Sequence, residues 1–157
     1  MYWRLRNADF DEQKGDRNRA QMKSLVLKNS VPGILAYHKS QPVGWCAVGP
    51  RDDYIRFETS RILKPVDDRK VWSIVCLFID KNYRRKGVSA QIIKAAVEFA
   101  AKKGATIIEG YPFEPKKKDM PDPFVWTGLA SAYLEQGFVE VARRSPTRPI
   151  MRYFANP

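Results

Sequence analysis

The chain has 157 residues, the size of one ordinary domain, and 44% of them are apolar, which is enough for a core that needs no disulfide staples. Lys and Arg number 28 against 17 Asp and Glu, so the net charge of +11 indicates an anionic partner. The 12% of aromatic residues need somewhere to pack, which argues against a disordered charged chain. We therefore expect one folded domain over residues 1–157.

Cysteine and histidine usage narrows the chemistry. Cys46 and Cys76 lie in separate apolar runs and His38 is the only histidine, so a zinc site or a disulfide framework fits poorly and we expect no metal. The longest nearly apolar run, 71–79, is far shorter than the ~20 residues of a membrane-spanning helix. The N-terminus lacks the features of a secretory signal, which predicts a cytoplasmic protein without a membrane partner.

The first third of the chain predicts a helix and a hairpin. Residues 2–6 alternate large apolar and basic side chains, which favours a short strand. Asp16 is placed to cap a helix over 17–28 that has one apolar face. Two strands over 34–38 and 43–48, joined by a four-residue turn-rich linker, predict an antiparallel pair.

The middle of the chain predicts the centre of the sheet. Residues 50–69 are polar and mixed, which indicates a partly ordered excursion. The run 71–79 is nearly continuously apolar, as in a strand buried on both faces. A helix over 89–103 and a strand over 105–111 follow, so a right-handed crossover would pair the two strands in parallel. The predicted fold is a mixed α/β sheet.

The last third predicts a loop, a short helix and two closing strands. Residues 114–123 are too charged and proline-rich for a regular element. The helix is expected over 127–136, and the strands over 138–143 and 150–154. No internal repeat or low-complexity linker marks a domain boundary.

A basic, glycine-containing turn from Arg84 to Ser89 joins the buried strand to the following helix. Backbone N–H groups at a helix start lack partners, the helix dipole adds roughly half a positive charge, and glycine lets an anion approach the main chain. The turn therefore suits a pyrophosphate, although its spacing fits neither a nucleoside-triphosphate loop nor a dinucleotide fold. The alternative is a plain turn with solvated charges.

The residues around this turn resemble the signature of the GNAT superfamily of N-acetyltransferases. That signature is Gln or Arg, two residues of any kind, Gly, one residue of any kind, then Gly or Ala. Arg84 and Gly87 match it, while Ser89 stands where glycine or alanine is usual. The segment 132–138 is similar to the family's helix-to-strand segment that ends in Gly-Phe. The resemblance covers about residues 31–154 and includes the strand over 43–48.

The resemblance implies the GNAT fold, a mixed central sheet with splayed parallel strands flanked by helices. It implies acetyl-CoA as co-substrate, with the main chain of Leu77, Phe78 and Ile79 binding pantetheine and the acetyl group. It also implies a pyrophosphate site formed by Arg84, Arg85, Lys86, Gly87, Val88 and Ser89. The implied reaction is direct attack by a primary amine of a small molecule or a protein. A homodimer is left open.

Two side chains are candidates for proton transfer. Glu109 is the first candidate for the general base, and a solvated or ion-paired strand residue is the alternative interpretation. Glu58 and Asp122 are weaker candidates. Tyr133 matches the position of the tyrosine that commonly stabilises the departing thiolate in the family, and a core aromatic is its alternative. Trp126 stands where the family often has an asparagine.

The sequence leaves two alternative functions open and does not identify the acceptor substrate. One alternative is a CoA-binding sensor that transfers nothing, which the uncertain base would allow. Another is a basic RNA-binding or ribosome-binding module, motivated by the net charge and the lysine run 116–118, but the run lacks interleaved aromatic residues and nucleic acid is less favoured. The loops over 51–69 and 113–126 contain no motif that names the acceptor. Four aromatic residues are candidate walls of its pocket: Trp45, Trp72, Tyr54 and Tyr111.

Overall fold

A six-stranded mixed sheet organises the computed structural model, which describes residues 1–115 and 125–155. Its strands are β1 (Gly33–His38), β2 (Gln41–Pro50), β3 (Trp72–Ile79), β4 (Ile107–Gly110), β5 (Val139–Arg143) and β6 (Pro149–Phe154). The helices are α1 (Asn7–Glu12), α2 (Asp16–Leu27), α3 (Arg56–Thr59), α4 (Val88–Lys102) and α5 (Ala130–Leu134). The spatial order of the strands is β1-β2-β3-β4-β6-β5.

The predicted hairpin, crossover and mixed sheet are confirmed. β1 and β2 pair antiparallel, and β2 pairs antiparallel with β3. β3 and β4 pair in parallel across the α4 crossover, so β3 is internal to the sheet as expected. β6 then pairs antiparallel with both β4 and β5.

The two parallel strands separate partway along β3. Their pairing extends only from Trp72 to Ile74, opposite Ile108 to Gly110. β4 ends at Gly110, whereas β3 continues to Ile79. In the described part of the chain, the residues from Val75 to Ile79 therefore have β2 on one side and no strand ladder on the other. This is the splayed geometry that the sequence resemblance implied.

The apolar stripe of α4 covers one face of the sheet. It buries Ile92, Ile93, Ala96, Val97 and Ala100, the same positions that the helical spacing predicts. They pack against the inward side chains of the central strands, including Cys46, Ile74 and Leu77. Within the described parts of the chain, no helix has both the length and the apolar character to cross a bilayer.

The opposite face is covered by the N-terminal region, and here three predictions are wrong. The expected strand over 2–6 is a short 3-10 helix, Tyr2–Arg4, because Trp3 turns inward and stacks on Phe57 at a ring distance of 4.7 Å. The expected apolar face of α2 does not reach the core: none of its residues is buried. Gly15, rather than Asp16, is the N-cap residue of α2.

The C-terminal third differs from the prediction mainly in its helix. α5 begins only at Ala130, because the backbone before it bonds to the end of the β4 segment: Phe113 N donates to Gly128 O at 2.8 Å. The two closing strands are confirmed. The loop expected over 114–123 falls mostly outside the described residues, as do the lysine run and Asp122.

Candidate active site

The basic turn lies between the open end of β3 and the start of α4. A short 3-10 helix, Lys81–Tyr83, is capped by Asp80, whose carboxylate accepts from the Asn82 N–H. Arg85 and Gly87 both adopt positive φ angles, 58° and 75°, which turn the chain sharply into the helix. The first helical bond joins Gln91 N to Gly87 O, so the preceding N–H groups at the helix start have no intrahelical partner.

Space at Gly87 allows an anion to approach this helix start. A Cβ atom placed there would meet no atom within 4 Å, so the surroundings of the turn are open. The positive φ is costly for any residue with a side chain. Three consecutive cations, Arg84, Arg85 and Lys86, add to the favourable field of the helix dipole. The residues present therefore fit a pyrophosphate group.

The open edge of β3 bonds to other parts of the chain. Trp3 Nε1 donates to Val75 O at 2.9 Å in a buried contact. Leu77 N donates to Trp126 O at 2.7 Å, and Arg84 Nε donates to Ile79 O at 2.9 Å. The main-chain groups expected to bind pantetheine are thus already hydrogen-bonded at Leu77 and Ile79. The ring of Trp126 lies 5.7 Å from that of Trp3, so both residues occupy the gap between the splayed strands.

Tyr133 lies at the inner end of this gap. Its hydroxyl donates to Thr127 O at 3.1 Å, and its side chain is fully buried. The ring packs so tightly on Gly110 and Gly128 that a Cβ atom at either glycine would come within 3.0 Å of it. Burial raises the pKa of Tyr133 well above its usual value, so the hydroxyl keeps its proton at neutral pH. Tyr133 is therefore a positioned hydrogen-bond donor at the splay.

Glu109 is fully buried in a polar network at the paired end of β3. Tyr111 donates to its Oε1 at 2.6 Å, and Arg152 Nε donates to its Oε2 at 2.6 Å. Arg152 also binds both carboxylate oxygens of Asp67, at 2.7 and 3.0 Å. Ser73 extends the network through a 2.9 Å hydrogen bond with Tyr111. The geometry therefore favours the ion-paired interpretation of Glu109, and its role as a base stays a prediction.

The other sequence candidates occupy different surroundings. Glu58 is exposed on α3. Of the four aromatic residues proposed as pocket walls, Trp45 and Tyr54 line a cavity of about 100 Å³ beside the open edge of β3. Tyr111 belongs to the polar network, and Trp72 packs on Phe99 of α4 at 5.9 Å.

A second, larger groove adjoins the basic turn. It has a volume of about 560 Å³ and lies between the β1-β2 hairpin and the start of α4. Tyr83 and Lys86 contribute from the turn, and His38 and Gln41 contribute from the hairpin. The Tyr83 hydroxyl and His38 Nδ1 are 3.0 Å apart, which links the two sides of the groove.

Sequence reasoning missed the residues that reach the site from elsewhere in the chain. Trp3 was assigned to a strand, and Arg152 had no assigned partner. In the sequence, only the residue types point to these contacts. Tryptophan and arginine are large side chains with a polar end, and that end needs a hydrogen-bond partner when the side chain is buried. Trp126 was recognised as a departure from the family pattern, but its backbone contact with Leu77 depends on tertiary structure.

Comparison with known proteins identifies the family and the fold of the chain. Residues 1–115 match the profile of the acetyltransferase (GNAT) family. No functionally curated protein matches the chain significantly. Among solved structures, a ribosomal-protein-alanine N-acetyltransferase from Brucella melitensis is similar, with a TM-score of 0.57 and 14% identity, covering 88% of this chain and 77% of that one.

Two further similar structures contain coenzyme A. A PaiA N-acetyltransferase from Thermoplasma acidophilum in complex with coenzyme A has a TM-score of 0.55 and 13% identity, covering 94% of this chain and 77% of that one. The NatC complex bound to Gag peptide and CoA has a TM-score of 0.56 and 10% identity, covering 87% of this chain and 79% of that one. At these identities the likeness shows a shared fold.

Proposed function

The chain belongs to the acetyltransferase (GNAT) family, and from that premise we propose that it transfers the acetyl group of acetyl-CoA to a primary amine. The observation that carries the proposal is the combination of a splayed β3 edge with an open, cationic helix start directly after it. A thioester bound along the edge would place its pyrophosphate at the turn.

Each part of the site would bind one part of acetyl-CoA. The N–H groups at the start of α4 and the cations Arg84, Arg85 and Lys86 would hold the pyrophosphate, with Gly87, Val88 and Ser89 supplying the close main-chain approach. The main chain of Leu77, Phe78 and Ile79 would bind the pantetheine and the acetyl carbonyl. The groove beside Tyr83 gives room for more of the nucleotide half.

The transfer itself needs an uncharged amine and a stabilised leaving group. The amine nitrogen attacks the acetyl carbonyl carbon, the new C–N bond forms and the C–S bond breaks. The amine loses its proton to water or a base, and CoA leaves as a thiolate that takes a proton from Tyr133. The Tyr133 hydroxyl keeps its proton at neutral pH, and to serve as this acid it would exchange its hydrogen bond to Thr127 O for one to the sulfur. A main-chain N–H of β3 would meet the carbonyl oxygen as it becomes negative.

Binding along the whole edge requires a local rearrangement. Leu77 N is bonded to Trp126 O, so the pantetheine can use this N–H only after Trp126 moves away. The hydrogen bond between Trp3 and Val75 closes the same gap from the other side. Exchange of these bonds for bonds to the co-substrate keeps the number of hydrogen bonds roughly constant, which limits the cost.

Two glycines at opposite ends of α4 provide a matched test. Gly87 precedes the helix and Gly104 follows it; both have positive φ angles, 75° and 87°, and open surroundings. Gly87→Glu and Gly104→Glu therefore introduce the same strain and the same charge. We expect calorimetric titration with acetyl-CoA to show lost binding in Gly87→Glu and near-normal binding in Gly104→Glu. Equal affinities in the two variants would contradict a pyrophosphate site at the turn.

A second candidate is a CoA-binding sensor that transfers nothing. The ion pair of Glu109 with Arg152 favours it, because the first candidate base is already engaged. Mass spectrometry of an amine panel incubated with the protein and acetyl-CoA separates the two functions. An acetylated product supports transfer, and bound acetyl-CoA with no product from any amine supports the sensor.

A further inference from the structure

A small apolar cavity lies beside the open edge of β3, on the face of the sheet opposite α4. Its volume is about 100 Å³. Ala47, Val75 and Cys76 contribute from the strands, and Trp45 and Trp126 also line it. The rest of the lining comes from residues 1–4 and from Met22, Pro32 and Tyr54.

The cavity is adjacent to the place where the acetyl group would lie. Cys76 directly precedes Leu77, the first residue of the proposed acetyl-CoA edge, and consecutive strand residues are ~3.3 Å apart. Val75 lines the cavity and accepts the Trp3 hydrogen bond in the gap. The cavity therefore lies beside the strand segment along which the thioester would bind. For one acceptor to place its amine at the thioester and its side chain in the cavity, the two groups must be carried on the same carbon atom.

The size and lining of the cavity limit what it can accept. Its volume of about 100 Å³ is smaller than the ~150 Å³ of an engineered cavity that binds benzene. A branched aliphatic group needs less of this space than an aromatic ring does. The strand and tryptophan side chains around it are predominantly apolar and Arg4 also lines it, so a cationic side chain would lose hydration there and meet a like charge.

We infer that this cavity is the acceptor subsite and that it binds an aliphatic side chain carried on the carbon next to the reacting amine. This inference rests on the proposed acetyl transfer and deepens it by naming the acceptor class. Leucine-like and valine-like amines have the required chemistry. They occur as small molecules and as the first residue of a polypeptide, and both sources present the same α-amine.

The surroundings also favour the reactive form of such an amine. The Met1 α-amino group borders the same cavity, and burial lowers its pKa. An acceptor amine held at the rim of the cavity, with its side chain inside, would lose hydration in the same way, which disfavours its charged form. Deprotonation then depends less on a dedicated carboxylate, consistent with the engaged state of Glu109.

A series of amines tests the subsite directly. Glycinamide, leucinamide and phenylalaninamide are compared by the kcat/KM of acetylation, together with two peptides that differ only in a first residue of Gly or Leu. We expect leucinamide to exceed both other amides by about 10-fold to 200-fold, the range that apolar pockets achieve. A leucine preference in the peptides alone identifies the polypeptide as the source, and one in the amides alone identifies the small amine.

Filling the cavity should abolish this preference. Ala47→Leu places a larger side chain in the cavity, whereas Ala101→Leu makes the same change at an exposed position of α4. We expect Ala47→Leu to lower the leucine kcat/KM to about the glycine value, and Ala101→Leu to leave the leucine preference as it is in the wild type. An unchanged leucine preference in folded Ala47→Leu would overturn the inference.

Enlarging the cavity gives an independent result should Ala47→Leu fold poorly. Met22 lines the cavity from α2, which has no buried residue. Met22→Ala therefore removes side-chain atoms and enlarges the cavity without disturbing the core. We expect this variant to gain activity toward phenylalaninamide. Equal rates for all amides in the wild type overturn the subsite and leave acetyl transfer intact. Bound acetyl-CoA with no acetylated amine or peptide means that the proposed function itself is wrong.

Discussion

The two halves of β3 have different partners and different roles. The half from Trp72 to Ile74 is paired on both sides and lies against the polar network of Glu109. The half from Val75 to Ile79 has a strand on one side and, on the other, single hydrogen bonds from Trp3 and Arg84 and to Trp126. One strand thus combines a region fixed by ladders and ion pairs with a region whose bonds can be exchanged. The first should determine stability, and the second should determine binding.

The buried ion pair should give the largest effect on stability, because it lies at the paired half. Arg152→Ala leaves the Glu109 carboxylate buried without its cation, which we expect to lower the free energy of unfolding by about 3–5 kcal/mol. Urea unfolding measures the change. Arg6→Ala is the control: Arg6 forms an exposed pair with Asp9, so its loss should cost less than about 1 kcal/mol. Similar small losses in both variants would contradict the comparison.

The second effect depends on pH. Hydrogen bonds from Arg152 and then Arg69 lower the pKa of the Asp67 carboxyl below its usual value. A lowered folded-state pKa stabilises the protein above the unfolded value of ~3.9 and loses that contribution as the pH falls further. Asp67→Asn should therefore be less stable than wild type by about 2 kcal/mol at pH 7. The difference in unfolding free energy between wild type and Asp67→Asn should become smaller below about pH 4. Urea unfolding at pH 7 and pH 3 measures it, and the same difference at both pH values would refute this prediction.

In the open half of β3, from Val75 to Ile79, loss of one hydrogen bond should change acetyl-CoA binding as well as stability. Trp3→Phe keeps an aromatic ring but removes the donor to Val75 O, which should cost about 1–2 kcal/mol of stability. Acetyl-CoA should bind several-fold more tightly, because the gap is less firmly closed. Trp72→Phe is the control in the paired half, where the ring packs on Phe99. Calorimetry that finds weaker acetyl-CoA binding in Trp3→Phe would show that Trp3 supports the site rather than closing it.

The smallest effect on stability should accompany a large effect on catalysis. Tyr133→Phe removes only the hydrogen bond to Thr127 O, a loss of about 1 kcal/mol. As the proposed acid, its hydroxyl should contribute about 100-fold or more to kcat, with acetyl-CoA affinity nearly unchanged. Tyr153→Phe, whose ring packs against Phe138, is the control. An unchanged kcat in Tyr133→Phe would leave Tyr133 as a core aromatic.

The sequence predicted those parts of the molecule that depend on local pattern. The stripe of α4, the continuous apolar run of β3 and the glycine turn follow from spacing within one segment. The pairing of Glu109 with Arg152 joins residues far apart in the chain, and its position on the strand gave no sign of which cation it would meet. The inward turn of Trp3 likewise depends on Val75 and Phe57, which no local period reveals.

The helix before Gly137 shows how tertiary contacts override a local signal. Helical spacing favoured a start at Thr127, but the backbone there bonds to Leu77 and to Phe113 instead. Those bonds keep Trp126 in the gap of the splayed strands. The segment before α5 is a turn with Gly128 at a φ of 85°, and its main-chain oxygens accept hydrogen bonds from Leu77 and Phe113.

The central claim is that acetyl-CoA binds along the open half of β3. Nuclear magnetic resonance titration of the protein with acetyl-CoA tests it most directly through three signals: the Leu77 amide, the Trp3 indole N–H and the amides at the start of α4. All three should shift together on binding, while the Ile74 amide in the paired half stays unchanged. Binding that shifts Ile74 and leaves Leu77 and Trp3 unmoved would contradict the claim.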